Sequence, residues 1–325
     1  MHGAHDLNCE RARFVHDLIA RRNLEQGRVR LGTIDICQPR DVLPSARVEG
    51  FHQDYDFQIE RVPYLPTTVF SHHAGRVISF RESSLTPFAL ERANQFLPGP
   101  PPALTSDTYS EALNKIKSLG TTNSTTATAD EALTGRFWNG AIQNYWNEIA
   151  QTAALDRDLT IEQSARLFAL LNLALADGVI AFYDAKYTYN FWRPVTAIRA
   201  ADSDNNPDTM TDLNWLPEVG KTAADPSYPG AHAVLSAAGA EVLISFFERG
   251  HFEFTVTSEV LSGVERSFTS LSAAAEEATL SRVFAGQHFR FDLTAGQRLG
   301  REVADFVTDN FLAPRHRKHQ SDQDK

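Results

Sequence analysis

Three short segments of this 325-residue chain concentrate side chains that can hold an anion and move a proton. In Lys186-Tyr-Thr-Tyr-Asn-Phe-Trp-Arg193-Pro194 two cations stand seven residues apart with aromatics between them. Seven residues is two helical turns, so a helix running through would place both charges on one face, and Pro194 marks a break or the start of a new element. A solvated pair over core aromatics fits that segment equally well. Asp225-Pro-Ser-Tyr-Pro-Gly230-Ala231-His232 reads as a Pro/Gly turn feeding a helix with a histidine in its first turn. Orphan N–H groups and the positive dipole end make such a turn an oxyanion seat, with His232 placed to exchange a proton. A histidine there more often caps or packs. In Ser281-Arg282-Val-Phe-Ala-Gly-Gln-His288-Phe-Arg-Phe-Asp292, Asp292 lies four beyond His288. On one helix that spacing lets the carboxylate orient the imidazole as a nucleophile or metal ligand. The alternative is an amphipathic helix with incidental charges, although Arg, His and Asp among Ala and Phe are expensive to bury without partners.

In this order and spacing the segments resemble the signature shared by vanadium-dependent haloperoxidases and type 2 phosphatidic-acid phosphatases. That signature runs Lys, six residues, Arg-Pro; then Pro-Ser-Gly-His; then Ser-Arg, five residues, His, three residues, Asp. The resemblance covers about 130–311, including Arg136-Phe137-Trp138, which looks like the family's upstream helix. It implies vanadate as cofactor, with phosphate competing for the same site, and His288 as the single protein ligand to the metal or as the attacking nucleophile of a phosphatase. It implies His232 as general acid or base, Asp292 as the partner of His288, and Lys186, Arg193 and Arg282 around the equatorial oxygens with the backbone at Gly230 and Ala231. Three cations would offset a highly charged oxyanion in a pocket of low dielectric.

The chain departs from the signature where Gly230-Ala231 replaces Ser-Gly. The hydroxyl that donates to an equatorial oxygen is absent, and losing a donor to a charged group costs about 1.5–3 kcal/mol. Backbone N–H groups of Gly230 and Ala231 are the replacement donors. Asp225 stands where characterised haloperoxidases carry Phe or His near the halide, and Tyr183 where they carry Trp or Arg. The resemblance implies hydrogen peroxide and halide as substrates. A soluble acid phosphatase acting on a phosphate ester through a phosphohistidine, or a weakened oxyanion-binding member of the superfamily, are the alternatives.

These residues require helices to position them. Thr160-Ile-Glu-Gln163 is a capping box opening a helix through about Ala185, apolar nearly all round and so central. Ala231 to Arg249 reads as a packed helix stopping at Gly250, and 272–289 and 293–311 repeat the theme with small residues. No useful strand pattern follows Asp130, so the expectation is an all-α helical bundle of the vanadium haloperoxidase/acid phosphatase type. Two packed four-helix bundles and one bundle completed across a homodimer both fit. Residues 1–80 are unassigned, 81–129 read as a Pro/Ser/Thr-rich connecting region, 130–312 as the helical domain and 313–325 as a polar tail.

Composition narrows the partners. A net charge of -10 argues against nucleic acid and anionic membrane surfaces, so any anion site must be made locally. The strongest apolar run, Leu167 to Ala176, falls short of the ~20 residues that span a bilayer, so no membrane insertion is expected. The stretch 1–14 carries Asp6, Glu10 and Arg11 where a secretory signal needs apolar residues. Cys9 and Cys37 define neither a disulfide scaffold nor a zinc site.

Overall fold

A computed structural model describes residues 85–313, all within one compact unit. The unassigned region through residue 80, with both cysteines and the start of the chain, lies outside the described residues, as does the tail from residue 314.

The expectation of an all-α bundle holds: eight α-helices run through the described residues in the order α1 Asp107–Leu119, α2 Ala129–Phe137, α3 Ile142–Asp156, α4 Ile161–Tyr189, α5 Pro194–Arg199, α6 Ala231–Phe247, α7 Leu271–Phe284 and α8 Arg290–Asn310. Local sequence explains most of the boundaries. Thr160 and Gln163 close the capping box foreseen for α4, with Gln163 N–H donating to Thr160 Oγ1 at 3.3 Å and Thr160 N–H to Gln163 Oε1 at 2.9 Å. Asn190 then ends α4 in the left-handed conformation at φ 49°. Pro194 opens α5 at its first position, where a missing N–H costs nothing.

Several elements differ from the sequence expectation. The connecting region 81–129 contains α1, whose Tyr109, Leu113 and Ile116 repeat at helical spacing and are fully buried. Helix α6 stops at Phe247, and Glu248, not Gly250, takes the left-handed cap. The helix read over 272–289 ends at Phe284, which leaves His288 in the turn before α8. A hairpin of β1 His251–Thr257 and antiparallel β2 Glu265–Ser270 interrupts the helices. Phe254 pairs with Phe268 across it, and with Val256 they lay an apolar face on the core.

Helix α6 is the hub, packing most extensively along α8 and also against α4, α7 and α3. It reaches α8 closely because α8 presents glycine: a Cβ on Gly300 would stand 2.1 Å from the Val234 carbonyl oxygen and 3.0 Å from Ala237 Cβ. Helix α4 is long and apolar enough by composition to cross a bilayer, contrary to the sequence expectation. Core helices of globular proteins pass the same test, and here its charged Asp177 and Lys186 are fully covered by protein. Both Asp177 carboxylate oxygens accept backbone N–H groups, from Phe88 at 2.7 Å, Ala89 at 2.7 Å and Leu90 at 2.8 Å, which ties the segment before α1 to the middle of α4.

A second apolar cluster sits beneath the chemistry-bearing segments. Tyr109 stacks on Trp192 with centroids 6.4 Å apart, and Phe191 meets Phe289 edge-on at 5.8 Å. These rings anchor the residues beside Arg193 and His288.

The α6–α8 contact gives a direct test. Gly300→Ala forces the two helices apart and is expected to cost about 3 kcal/mol in urea unfolding, whereas Gly99→Ala, with nothing within 4 Å of its added Cβ, leaves the midpoint unchanged.

Candidate oxyanion site

Four chain segments deliver the foreseen residues to one place. Lys186 leaves the last turn of α4 and Arg193 caps α5, so the left-handed turn at Asn190, not a shared helix face, brings the two cations together. Lys186 is fully buried, and its Nζ donates to the carbonyls of Pro226 and, at 3.1 Å, Ser227. Asp225 Oδ2 pairs with Lys186 Nζ at 3.0 Å and with Arg193 Nη2 at 3.0 Å. The Arg193 Nε donates to the Asp225 carbonyl at 2.8 Å, and its Nη1 to the Gln287 carbonyl at 3.1 Å.

His288 is held at both ring nitrogens. Its Nδ1 lies 3.1 Å from Asp292 Oδ2 and its Nε2 2.9 Å from Arg193 Nη1. A guanidinium only donates, so Nε2 carries the lone pair and Nδ1 the proton given to Asp292. The orienting role read for Asp292 is met by different geometry: the carboxylate sits in the first turn of α8 and accepts from the Phe289 N–H at 3.1 Å as well, reaching back across the turn. Gly286 makes that turn, at φ 73° and with its Cα against Gly120, where any Cβ would stand 2.2 Å from the Gly120 carbonyl oxygen.

Arg282 is 5% exposed and has no acidic partner. Its Nη2 donates to Asn139 Oδ1 at 3.2 Å, while Nε and Nη1 have no hydrogen-bond partner. His232 enters from the first turn of α6, and its Nε2 lies 3.0 Å from the Trp138 carbonyl. Gly230 caps α6, but its N–H already donates to the Asp292 carbonyl at 3.0 Å, which removes it from the donors foreseen for an oxyanion. Ala231, at the first helical position, keeps an N–H with no intrahelical acceptor.

The electrostatics follow from crowding cations under cover. Burial lowers Lys186 to about 8 despite Asp225, and burial with Arg193 lowers Arg282 to about 9. Burial first, then Arg193, Lys186 and Arg282, push His288 well below the usual imidazole value. Burial and then Arg282 do the same to His232, so both rings are neutral. Burial raises the Asp225 carboxyl, but Lys186 and Arg193 outweigh it and hold the group well below the ordinary carboxylate range. Asp292 goes the other way: burial raises it to about 7 against the Ser227 hydrogen bond and Lys186.

Some site residues carried no sequence signal. Ser227 donates to Asp292 Oδ2 at 2.5 Å, with its Oγ 3.4 Å from His288 Nδ1, yet in the sequence it is one more turn residue between two prolines. Asn139 and the Trp138 carbonyl come from the α2–α3 turn, where nothing in residue type distinguishes them.

The site is thus a buried, basic cluster at the ends of a helical bundle. Among the described residues no group of three or more His, Cys, Asp or Glu side chains stands ready to hold a metal cation directly. Residues 166–316 match the family model for the second helical-bundle domain of vanadium chloroperoxidase, so over that stretch the chain is similar to the vanadium-dependent haloperoxidases. A vanadium chloroperoxidase of Curvularia inaequalis is 25% identical over 267 residues, covering 61% of this chain and 43% of that protein. The crystal structure of a bacterial vanadium-dependent iodoperoxidase is similar with a TM-score of 0.63 at 30% identity, over 71% of this chain and 57% of that one. A holo-type bacterial vanadium-dependent chloroperoxidase shares the fold with a TM-score of 0.55 at 16% identity, over 71% of this chain and 54% of its own. The chain therefore spans about half the length of the relatives it matches.

The two carboxylates give the ligand-free protein a pH signature. Asp292, raised from 3.8 to about 7, contributes stability that is full below pH 3.8 and lost as pH rises through about 7. Asp225, lowered, contributes stability present above 3.8 and lost as pH falls through its depressed value. Denaturant unfolding of Asp292→Asn is expected to lose the decline between those two pH values, and Asp225→Asn to retain it.

Proposed function

We propose that this chain is a vanadate-dependent haloperoxidase that oxidises halide with hydrogen peroxide. The observation that carries the reading is Arg282: a buried guanidinium with two orphaned N–H groups, beside Lys186 and Arg193, is a site short of an anion. The donor set of two arginines, one lysine and one neutral imidazole fits vanadate, whose oxygens need cationic donors and whose metal needs one nitrogen lone pair.

Lys186, Arg193 and Arg282 would hold the oxygens and His288 Nε2 the metal. Bound vanadate supplies a Lewis-acidic V(V) centre that activates hydrogen peroxide toward halide without a change in oxidation state. The chain's own groups prepare that centre. Asp292 keeps the His288 proton on Nδ1, so the lone pair is always on Nε2. Arg193 Nη1 holds that lone pair in the ligand-free protein and must release it on loading. His232, kept neutral by burial and by Arg282, is suited to accept a proton from incoming peroxide. The 30% identity to an iodoperoxidase, and the motif residues in their family order, support the reading.

The missing hydroxyl bears on affinity. A serine at position 230 would place its Cβ 2.9 Å from Leu293 Cδ2, the end of a flexible but buried side chain. Gly230→Ser is expected to tighten vanadate about tenfold by restoring a donor to a charged oxygen, with a lowered melting temperature from the crowding at Leu293.

Vanadate titration of the metal-free protein, followed by vanadium NMR and by peroxide-dependent bromination of a phenolic dye, tests the function. Vanadate-dependent bromination that is abolished in His288→Ala is the expected outcome. Ester hydrolysis inhibited by vanadate, without bromination, would replace it with the phosphatase. Arg282→Met provides an independent readout: removing a buried charge without an ionic partner should stabilise the ligand-free protein by about 1–3 kcal/mol and eliminate the thermal stabilisation that vanadate gives the wild type.

A further inference from the structure

Among the described residues Asp225 is the one carboxylate ion-paired to Lys186 and Arg193. Its Oδ2 bridges Lys186 and Arg193 at 3.0 Å each, in the geometry that an oxygen of a bound oxyanion would take between the same two donors. Its side chain is 12% exposed, so solvent screens it little, and the two cations keep it ionised throughout the physiological range. Its backbone carbonyl accepts from the Arg193 Nε at 2.8 Å, which fixes the residue at the pocket independently of its carboxylate.

Resting on the oxyanion reading of the site, we propose that Asp225 is a charge filter that sets which oxyanions the pocket accepts, favouring singly charged over doubly charged tetrahedral anions. In the ligand-free protein the carboxylate is the counterion of Lys186 and Arg193. An incoming anion must share those donors with it, at a few ångströms from a fixed negative charge. The repulsion from one fixed charge is proportional to the charge of the ligand. A dianion therefore suffers twice the penalty of a monoanion of the same shape, and a factor of ten against the monoanion becomes a factor of a hundred against the dianion.

The filter bears on a real competition. Near neutrality dilute orthovanadate holds two protons and is singly charged, whereas orthophosphate is divided between singly and doubly charged forms and sulfate is wholly doubly charged. All three are tetrahedral, so shape and hydrogen-bonding oxygens separate them poorly and charge separates them well. The unneutralised Arg282 supplies attraction for any of the three, and Asp225 supplies the discrimination. Without the carboxylate, three cations in one pocket would hold the dianions most tightly and block loading with vanadate.

Calorimetric titration of the metal-free protein with dilute vanadate and with sulfate, at one neutral pH, tests this in wild type, Asp225→Asn and Asp225→Glu. Asn keeps an oxygen to accept from Lys186 and Arg193 but carries no charge. The expected result is that Asp225→Asn tightens vanadate about tenfold and sulfate about a hundredfold, while Asp225→Glu preserves the wild-type ratio. Equal tightening of both anions, or weakening of both in Asp225→Asn with recovery in Asp225→Glu, would overturn the filter and make Asp225 a scaffold for the cations. Failure of both anions to bind any of the three proteins would overturn the filter together with the oxyanion site itself.

Discussion

Three cationic side chains buried within one pocket, with a single depressed carboxylate between two of them, are the constraint to which the rest of the molecule answers. Like charges under low dielectric repel strongly, and each loses hydration on burial. The fold offsets this with backbone: carbonyls of Asp225, Pro226, Ser227 and Gln287 accept from Lys186 and Arg193. Those carbonyls belong to the 225–230 turn and to the α7–α8 turn, so both must be held in place. The rings of Tyr109, Phe191, Trp192 and Phe289 hold them from beneath, and the close α6–α8 contact holds them from the side. Arg282, reached by no such carbonyl through two of its nitrogens, is where the compensation stops.

The site is consequently folded in on itself. Each side-chain nitrogen of Arg193 donates to the protein, one of them onto the His288 lone pair, and Lys186 does likewise through its ammonium group. On the proposed reading, loading an oxyanion would be an exchange of partners, its free energy a difference between two well-satisfied states. This is why the neighbours of the cations, and not only the cations, govern affinity. Asp292 illustrates the same point at the histidine: its Oδ2 accepts from Ser227, His288 and the Phe289 N–H, so imidazole orientation and the start of α8 are fixed by one oxygen atom.

The bundle and most of the residues that gather in the candidate site were legible in the sequence because they rest on local or strongly typed signals. The Thr160–Gln163 box and the nearly continuous apolar face of α4 come from neighbouring residues, and burying Lys, Arg and His among Ala and Phe demands a purpose. What escaped depended on tertiary context. The hairpin strands place only Phe254 and Val256 inward on one strand and Phe268 on the other, too few alternations to stand out between helices. Helix α1 hides in a Pro- and Ser-rich stretch because its apolar positions are few. Spacing alone put His288 on a helix with Asp292, whereas α7 ends at Phe284, Gly286 turns the chain at positive φ, and α8 begins at Arg290, after His288. Ser227 and Asn139 act only because other segments come to them.

That last dependence sets the boundary of the functional unit. The matched stretch 166–316 holds every motif residue, yet Arg282 leans on Asn139, His232 on the Trp138 carbonyl, and the middle of α4 on the backbone of Phe88 to Leu90. The module defined by sequence similarity is therefore smaller than the module defined by physics. A fragment cut at residue 166 would leave a histidine without its hydrogen-bond acceptor, and a guanidinium and a buried carboxylate without partners that the motif residues cannot replace. Any recombination of this domain with foreign sequence would have to carry the α2–α3 turn and the strand of chain before α1 along with it.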